Sequence, residues 1–145
     1  MGRHVAATPR EEGPDMAAMT VLFIEDDRMN RRVVRDMLDV AGADMVEAES
    51  AEIGLDLIDA HDFDIALVDL RMPGMDGMTA IGHIRARTDA KARMPIIVVT
   101  ADTAVDLRQR CLEGGADEVI FKPVAMDELF DAMGRLLADD DGELI

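Results

Sequence analysis

Four apolar runs in this chain end in reactive side chains. Residues 21–24 are followed by Glu25-Asp26-Asp27, 65–68 by Asp69, 96–99 by Thr100, and 119–121 by Lys122-Pro123. If these runs are neighbouring parallel strands, their carboxyl ends share one rim, where carboxylates, a hydroxyl and an ammonium meet. Carboxylates brought that close repel, and each raises its neighbours' pKa unless a cation intervenes. A divalent ion removes the conflict. Oxygen ligands with no His or Cys beside them suit a hard metal, and Mg2+ characteristically takes one or two carboxylates, waters and a substrate phosphate. Lys122 would add a point charge for phosphoryl oxygens and Thr100 a hydroxyl donor. Lysine occurs only at Lys91 and Lys122, against a background of arginine, so its placement at a strand end is noticeable. The chemistry open to this set is the handling of phosphate beside Mg2+.

The elements that must position these residues show as an alternation. Short β-type runs at 21–24, 45–48, 65–68, 96–99 and 119–121 alternate with stretches of helical period. That pattern predicts an α/β fold, a doubly wound, five-stranded parallel sheet with helices on both faces. The run 45–48, with Glu47 and Glu49 beside it, has no obvious partner and is expected at a sheet edge. In the first helix Met29, Val33 and Met37, with Val34 and Leu38 beside them, predict one buried stripe. Ser50 is expected to cap a helix through Ile53, Leu57 and Ala60. A third helix is expected over 78–87, and a fourth from 103 until Gly114 and Gly115 stop it. The last carries Met126, Leu129, Met133 and Leu136 on one face. Residues 1–18 have no period and are expected to form a disordered leader, with the domain over 19–138 and an acidic tail over 139–145.

Composition removes several functions. The chain has 145 residues, 31 acidic and 15 basic side chains, and a formal net charge of −16. Phosphate backbones and anionic lipid repel such a surface, and no basic stretch is long enough to overcome the whole-chain field, so nucleic-acid and membrane-surface roles are excluded. Hydrophobic residues make up 49% of the chain, enough for one core, so the charge does not signal disorder. A lone Cys111 excludes an internal disulfide framework and suits a reducing compartment. Trp and Tyr are absent, leaving Phe23, Phe63, Phe121 and Phe130 for any stacking. No run approaches the about 18 apolar residues of a membrane span, and the start lacks the apolar core of a signal peptide. The expected location is cytoplasmic.

The ordered set of motifs resembles the receiver domain of the two-component response regulator family, over about residues 20–137. Glu25-Asp26-Asp27 after an apolar strand is similar to the family's acid pair. Val68-Asp69-Leu70-Arg71-Met72-Pro73-Gly74-Met75-Asp76-Gly77 resembles the segment around its phosphorylated aspartate. Val98-Val99-Thr100-Ala101 matches the hydroxyl signature, and Phe121-Lys122-Pro123 the lysine signature. The resemblance implies a CheY-like, flavodoxin-like strand order 2-1-3-4-5. It implies Asp69 as phosphoacceptor from a histidine kinase, a phosphotransfer protein or a small phosphodonor. Mg2+ would be held by Glu25, Asp26, Asp69 and the backbone carbonyl of Arg71, with Thr100 and Lys122 gripping the phosphoryl group. Asp27 would then cap the next helix, and a register pairing Asp26 with Asp27 is the alternative. Arg71 and Asp102 would flank the path of the attacking water. Output would pass through the face of helix four, strand five and helix five to a protein partner, from a stand-alone regulator. One position departs from the family: Val119 stands where a switching Tyr or Phe is usual, so the switch would rest on Thr100 and backbone shifts, or partly on Phe121.

Other features carry plainer expectations. Asp76 and Gly77 are expected to make a turn and start a helix. A cis peptide bond before Pro123, as in the family, would aim the Lys122 ammonium at the site. His61 and His83 lack paired ligands and are expected at the surface or on helices. Cys111 is expected to be half-buried with no lowered pKa. Met72, Met75 and Met78 are expected to pack around the loop after Asp69 rather than bind a soft metal. Arg28, Arg31, Arg32 and Arg35 are either a solvated face balancing nearby acids or a docking surface for a phosphodonor. A phosphohydrolase that uses an aspartyl phosphate needs Asp-x-Asp after an apolar strand. Asp62-Phe63-Asp64 has that spacing without the strand, and no glycine-rich nucleotide loop is present. A pseudo-receiver, keeping the fold without the phosphate switch, would be expected to lose part of the acid, Asp, Thr and Lys set.

Overall fold

The computed structural model describes residues 16–142. In chain order it contains β1 (Thr20–Ile24), α1 (Arg28–Ala41), β2 (Asp44–Ala48), α2 (Ala51–Ala60), β3 (Ile65–Val68) and α3 (Gly77–Arg85). A short 3-10 helix (Ala90–Arg93) leads to β4 (Ile96–Thr100), α4 (Leu107–Glu113), β5 (Glu118–Phe121) and α5 (Met126–Gly142). The strands pair in parallel in the order β2-β1-β3-β4-β5, the doubly wound architecture that the alternation of runs predicts. β3 and β4 are buried at every position, as strands covered on both faces must be. Alternate residues feed two apolar layers. Leu22, Ile24, Val68, Val98 and Val119 pack with Ile58 of α2, Ile81 and Ile84 of α3 and Cys111 of α4. Val21, Phe23, Leu67, Val99 and Ile120 pack with Val34 and Leu38 of α1 and Leu129 and Met133 of α5.

Helix starts follow side-chain chemistry. Asp27 accepts from the N–H groups of Met29 and Asn30, Ser50 from that of Ile53, and Asp76 from that of Thr79. Each satisfies donors that the first turn leaves unpaired.

Several expectations are corrected. In α1 the buried row is Val34 and Leu38, while Met29 is 68% and Val33 40% exposed. Both rows satisfy the i, i+4 spacing. The Val34 row is the one that packs into the core layer, and with it turned inward Arg31 and Arg35 reach across to Glu47 of β2. Glu47 is therefore an internal residue of the edge strand and has partners. The third helix covers Gly77–Arg85 rather than 78–87. The fourth starts at Leu107, not 103, because polar contacts claim the preceding backbone: the Asp102 N–H donates to the Thr100 hydroxyl, and Asp102 Oδ1 accepts from the Ala104 N–H. Cys111 is buried, not half-buried. Met126, the first residue of α5, lies beyond the core and is exposed; the buried row is Leu129, Ala132, Met133 and Leu137. The helix continues through 139–142, where the tail was expected. Of the expected leader, residues 1–15 lie outside the described residues. At 16–18 the chain turns against the domain, with the Ala18 N–H donating to the Gly42 carbonyl at 3.2 Å. Residues 143–145 also lie outside the described residues.

Candidate functional site

Strand order brings the reactive residues together. β1 and β3 are neighbours with Ile24 beside Val68, so Glu25 and Asp69 leave the sheet side by side. The Asp69 N–H donates to the Ile24 carbonyl at 2.9 Å and the Glu25 N–H to that of Ala48 at 2.9 Å. Thr100 is the last residue of β4 and lies beside Phe121 of β5. The Lys122 N–H donates to the Thr100 carbonyl at 2.8 Å, which places the lysine on the same rim. The Lys122-Pro123 bond is cis. Gly77 closes the other side. A Cβ at that position would lie 2.3 Å from the Asp69 carbonyl oxygen, so only glycine lets the start of α3 approach the loop this closely.

One carboxylate oxygen from each of Glu25, Asp26 and Asp69 lies within 4.8 Å of the others. Glu25 and Thr100 are each 1% exposed and Asp69 5%; Asp26 is at the mouth. Lys122 Nζ lies 2.8 Å from Glu25 Oε1 and 3.6 Å from Asp69 Oδ1. Burial, reinforced by the Asp69 charge, pushes the Glu25 carboxyl up to about 7 despite its bonds from Lys122 and the Asp27 N–H. Burial alone would pull Lys122 down, but Glu25 and Asp69 outweigh it and hold its proton more tightly. Lys122 thus meets two of the three carboxylates, and Asp26 has no cationic partner among the described residues. That deficit of positive charge, with an all-oxygen donor set, fits a hard divalent cation.

The remaining expected residues fall as follows. The Thr100 hydroxyl accepts from the Asp102 N–H at 3.1 Å, which leaves its own proton to donate. The side chain of Arg71 pairs with Asp102 at 2.8 Å, forming an ion pair across the loops that follow β3 and β4. Val119 is away from the rim, in the apolar layer beside Val98. Asp27 caps α1, which fits the register that pairs Glu25 with Asp26. Met72 is buried beside the loop after Asp69, with Met75 and Met78 packed against the same layer. His61 and His83 are exposed. Burial raises the Cys111 thiol more than the nearby Arg110 charge lowers it. Asp64 of the rejected Asp-x-Asp accepts from the Thr20 N–H at 2.8 Å, a structural task.

Sequence reasoning missed Glu118. Its carboxylate is buried between Arg108 of α4 at 2.5 Å and Arg135 of α5 at 3.0 Å. The available signal is an acid opening the run Glu-Val-Ile-Phe, where the apolar pattern alone starts the strand at Val119 and the structure starts it at Glu118.

The family model for the response regulator receiver domain matches residues 21–134. The chain belongs to this family. The receiver is 35% identical over 118 residues to the response regulator protein FleR of Pseudomonas aeruginosa, an alignment that covers 81% of this chain and 24% of FleR. Among solved structures, a CheY-like receiver domain protein from Methanospirillum hungatei superposes with a TM-score of 0.79 at 25% identity, covering 88% of this chain and 99% of that one. The receiver domain of sensor histidine kinase PA1611 from Pseudomonas aeruginosa, solved with a magnesium ion in its active site cleft, superposes with a TM-score of 0.76 at 29% identity, covering 83% and 98%. The receiver spans from 10% to 47% of the length of the curated relatives it matches. Among the described residues, no helix is long and apolar enough to cross a membrane.

Proposed function

We propose that this receiver accepts a phosphoryl group on Asp69 from a phosphohistidine of a histidine kinase or phosphotransfer protein, or from a small phosphodonor. The observation that carries this is the gathering of Glu25, Asp26 and Asp69 within 4.8 Å of one another, with Lys122 Nζ beside Glu25 and Asp69. A carboxylate oxygen of Asp69 attacks phosphorus, the new P–O bond forms as the donor's P–N bond breaks, and the electron pair leaves with the imidazole nitrogen. Glu25, Asp26, Asp69 and the Arg71 carbonyl would hold Mg2+, which when bound supplies positive charge to the phosphoryl oxygens.

Transfer replaces one negative charge on Asp69 by nearly two and presents new acceptor oxygens. The Thr100 hydroxyl and Lys122 Nζ then tighten onto them. Charge-assisted hydrogen bonds contribute about 1.5–3 kcal/mol each, and a shift from 1:99 to 99:1 needs about 5.5 kcal/mol, which corresponds to about two to four such bonds. The pull reaches a protein partner through the face of α4, β5 and α5. With Val119 in the core, the movement starts at Thr100 rather than at an aromatic lever. Arg71 and Asp102 set how water reaches the phosphoryl group, and the chemistry proposed for the chain is its own phosphorylation and dephosphorylation. A cytoplasmic setting, where these donors occur, completes the proposal.

The test is incubation with acetyl phosphate and Mg2+, followed by intact mass. A phosphoryl adduct on wild type and none on Asp69→Asn is expected. An adduct on both would remove Asp69 from its role, and one on neither would overturn the proposal.

A further inference from the structure

Among the described residues of α1, Arg31 is the arginine whose contacts lead into the acidic cluster. Its Nη1 donates to the main-chain carbonyl of Glu25 at 2.8 Å and its Nε to Glu47 Oε1 at 2.6 Å. The side chain is only 12% exposed. Arg35 holds the other oxygen of the same Glu47, through Nε at 3.0 Å and Nη2 at 2.6 Å, but ends on the Met45 carbonyl at 3.3 Å, within β2.

The Glu25 carbonyl and the Asp26 nitrogen belong to one rigid peptide plane. Glu25 needs no help in aiming its side chain, since Lys122 and the Asp27 N–H already fix its carboxylate. Asp26 differs. Its carboxylate is exposed, and no hydrogen bond or ion pair among the described residues holds it. Its direction is therefore inherited from its backbone, and the carbonyl of the peptide that leads into it is held by Arg31, between the Glu25 N–H on Ala48 and the Asp27 N–H on Glu25.

We propose that Arg31, braced by Glu47, is a positioning residue for the acidic site: it fixes the Glu25–Asp26 peptide and so aims Asp26 toward Glu25 and Asp69. The consequence for metal affinity rests on the assignment of that cluster to Mg2+ made above. A planar guanidinium can hold a carbonyl and a carboxylate at once in fixed geometry, which a lysine ammonium cannot. Partners that orient metal ligands typically change affinity by about 10–100-fold when removed. The basic face of α1 thus divides, with Arg31 and Arg35 bound into the fold rather than presented to a docking protein.

The experiment compares Arg31→Met with Arg35→Met, since each loses an ion pair to Glu47 and only the first loses the bond to Glu25. In metal-free protein, the Asp26 amide resonance should move in Arg31→Met and stay in place in Arg35→Met. In a calorimetric titration, Arg31→Met should weaken Mg2+ binding about tenfold, while Arg35→Met stays within roughly twofold of wild type. Glu47→Ala leaves Arg31 present but unbraced. It should give a smaller loss, and it covers the case in which Arg31→Met does not fold. An unmoved Asp26 amide in Arg31→Met, or equal losses in both arginine variants that track their thermal midpoints, would overturn the proposal. If wild type shows no saturable Mg2+ binding while the Asp26 amide still moves in Arg31→Met, the Mg2+ assignment fails and the positioning role stands.

Discussion

Lys122 has two carboxylates to neutralise and lies closer to one of them, 2.8 Å from Glu25 against 3.6 Å from Asp69. In the metal-free protein the second carboxylate is a liability, because its charge adds to the burial that pushes Glu25 up to about 7. Asp69→Asn removes the extra charge while nearly preserving shape. Its midpoint in EDTA should rise by roughly 3 °C, corresponding to about 1 kcal/mol. It should also lose most of the further rise that Mg2+ gives the wild type. Thermal unfolding followed by circular dichroism, with and without Mg2+, checks both. A lower midpoint in EDTA would mean that Asp69 stabilises the fold through Lys122 more than it destabilises it through Glu25. These residues were legible in the sequence because a parallel sheet puts the end of every strand on one rim, so position along the chain was enough. The hold of Arg31 on Glu25 was not legible, since it depends on how α1 is rotated, and the apolar pattern alone favoured Met29 and Val33 as readily as Val34.

At the scale of elements, β5 joins the site to α4 and α5 through adjacent residues that do different work. Val119 fills the core, and Glu118 binds Arg108 of α4 and Arg135 of α5. Burial would raise the Glu118 carboxyl, but Arg108, the Val119 N–H and Arg135 together hold it below the ordinary carboxylate range. A depressed native pKa means that the contribution is complete above the ordinary value of about 4.3. It is lost as pH falls through the native value. Glu118→Gln should therefore be less stable than wild type at pH 7 by about 1 kcal/mol, a modest figure because both arginines reach solvent. The gap should close as pH falls below about 4. Urea unfolding of both proteins at a series of pH values measures it, and a gap independent of pH would mean that packing, not charge, sets the effect. Boundaries of this kind were the least legible part of the fold. Strand interiors announce themselves by apolar runs. α4 starts later than its pattern predicts because Asp102 diverts the backbone before Leu107, and β5 starts earlier because its first residue is a buried acid.

For the molecule as a whole, the decisive quantity is the formal net charge of −16. Arginines 31, 32, 35, 71, 85, 87, 108, 110 and 135 are all engaged in ion pairs, so little positive charge is left to offset the remaining acids. Two effects of salt then compete. Exposed pairs contribute only about 0–1 kcal/mol each and weaken when screened. Repulsion among the surplus acids acts over distances longer than a contact pair, and it falls as the screening length drops from about 10 Å at 0.1 M salt to about 3 Å at 1 M. The longer-range term should win. Raising NaCl from low to high concentration in EDTA should lift the thermal midpoint by roughly 3 °C, and Asp69→Asn, with one charge fewer, should gain less than wild type. A midpoint that falls with salt would show that the arginine pairs, rather than acidic self-repulsion, dominate the electrostatics of the fold.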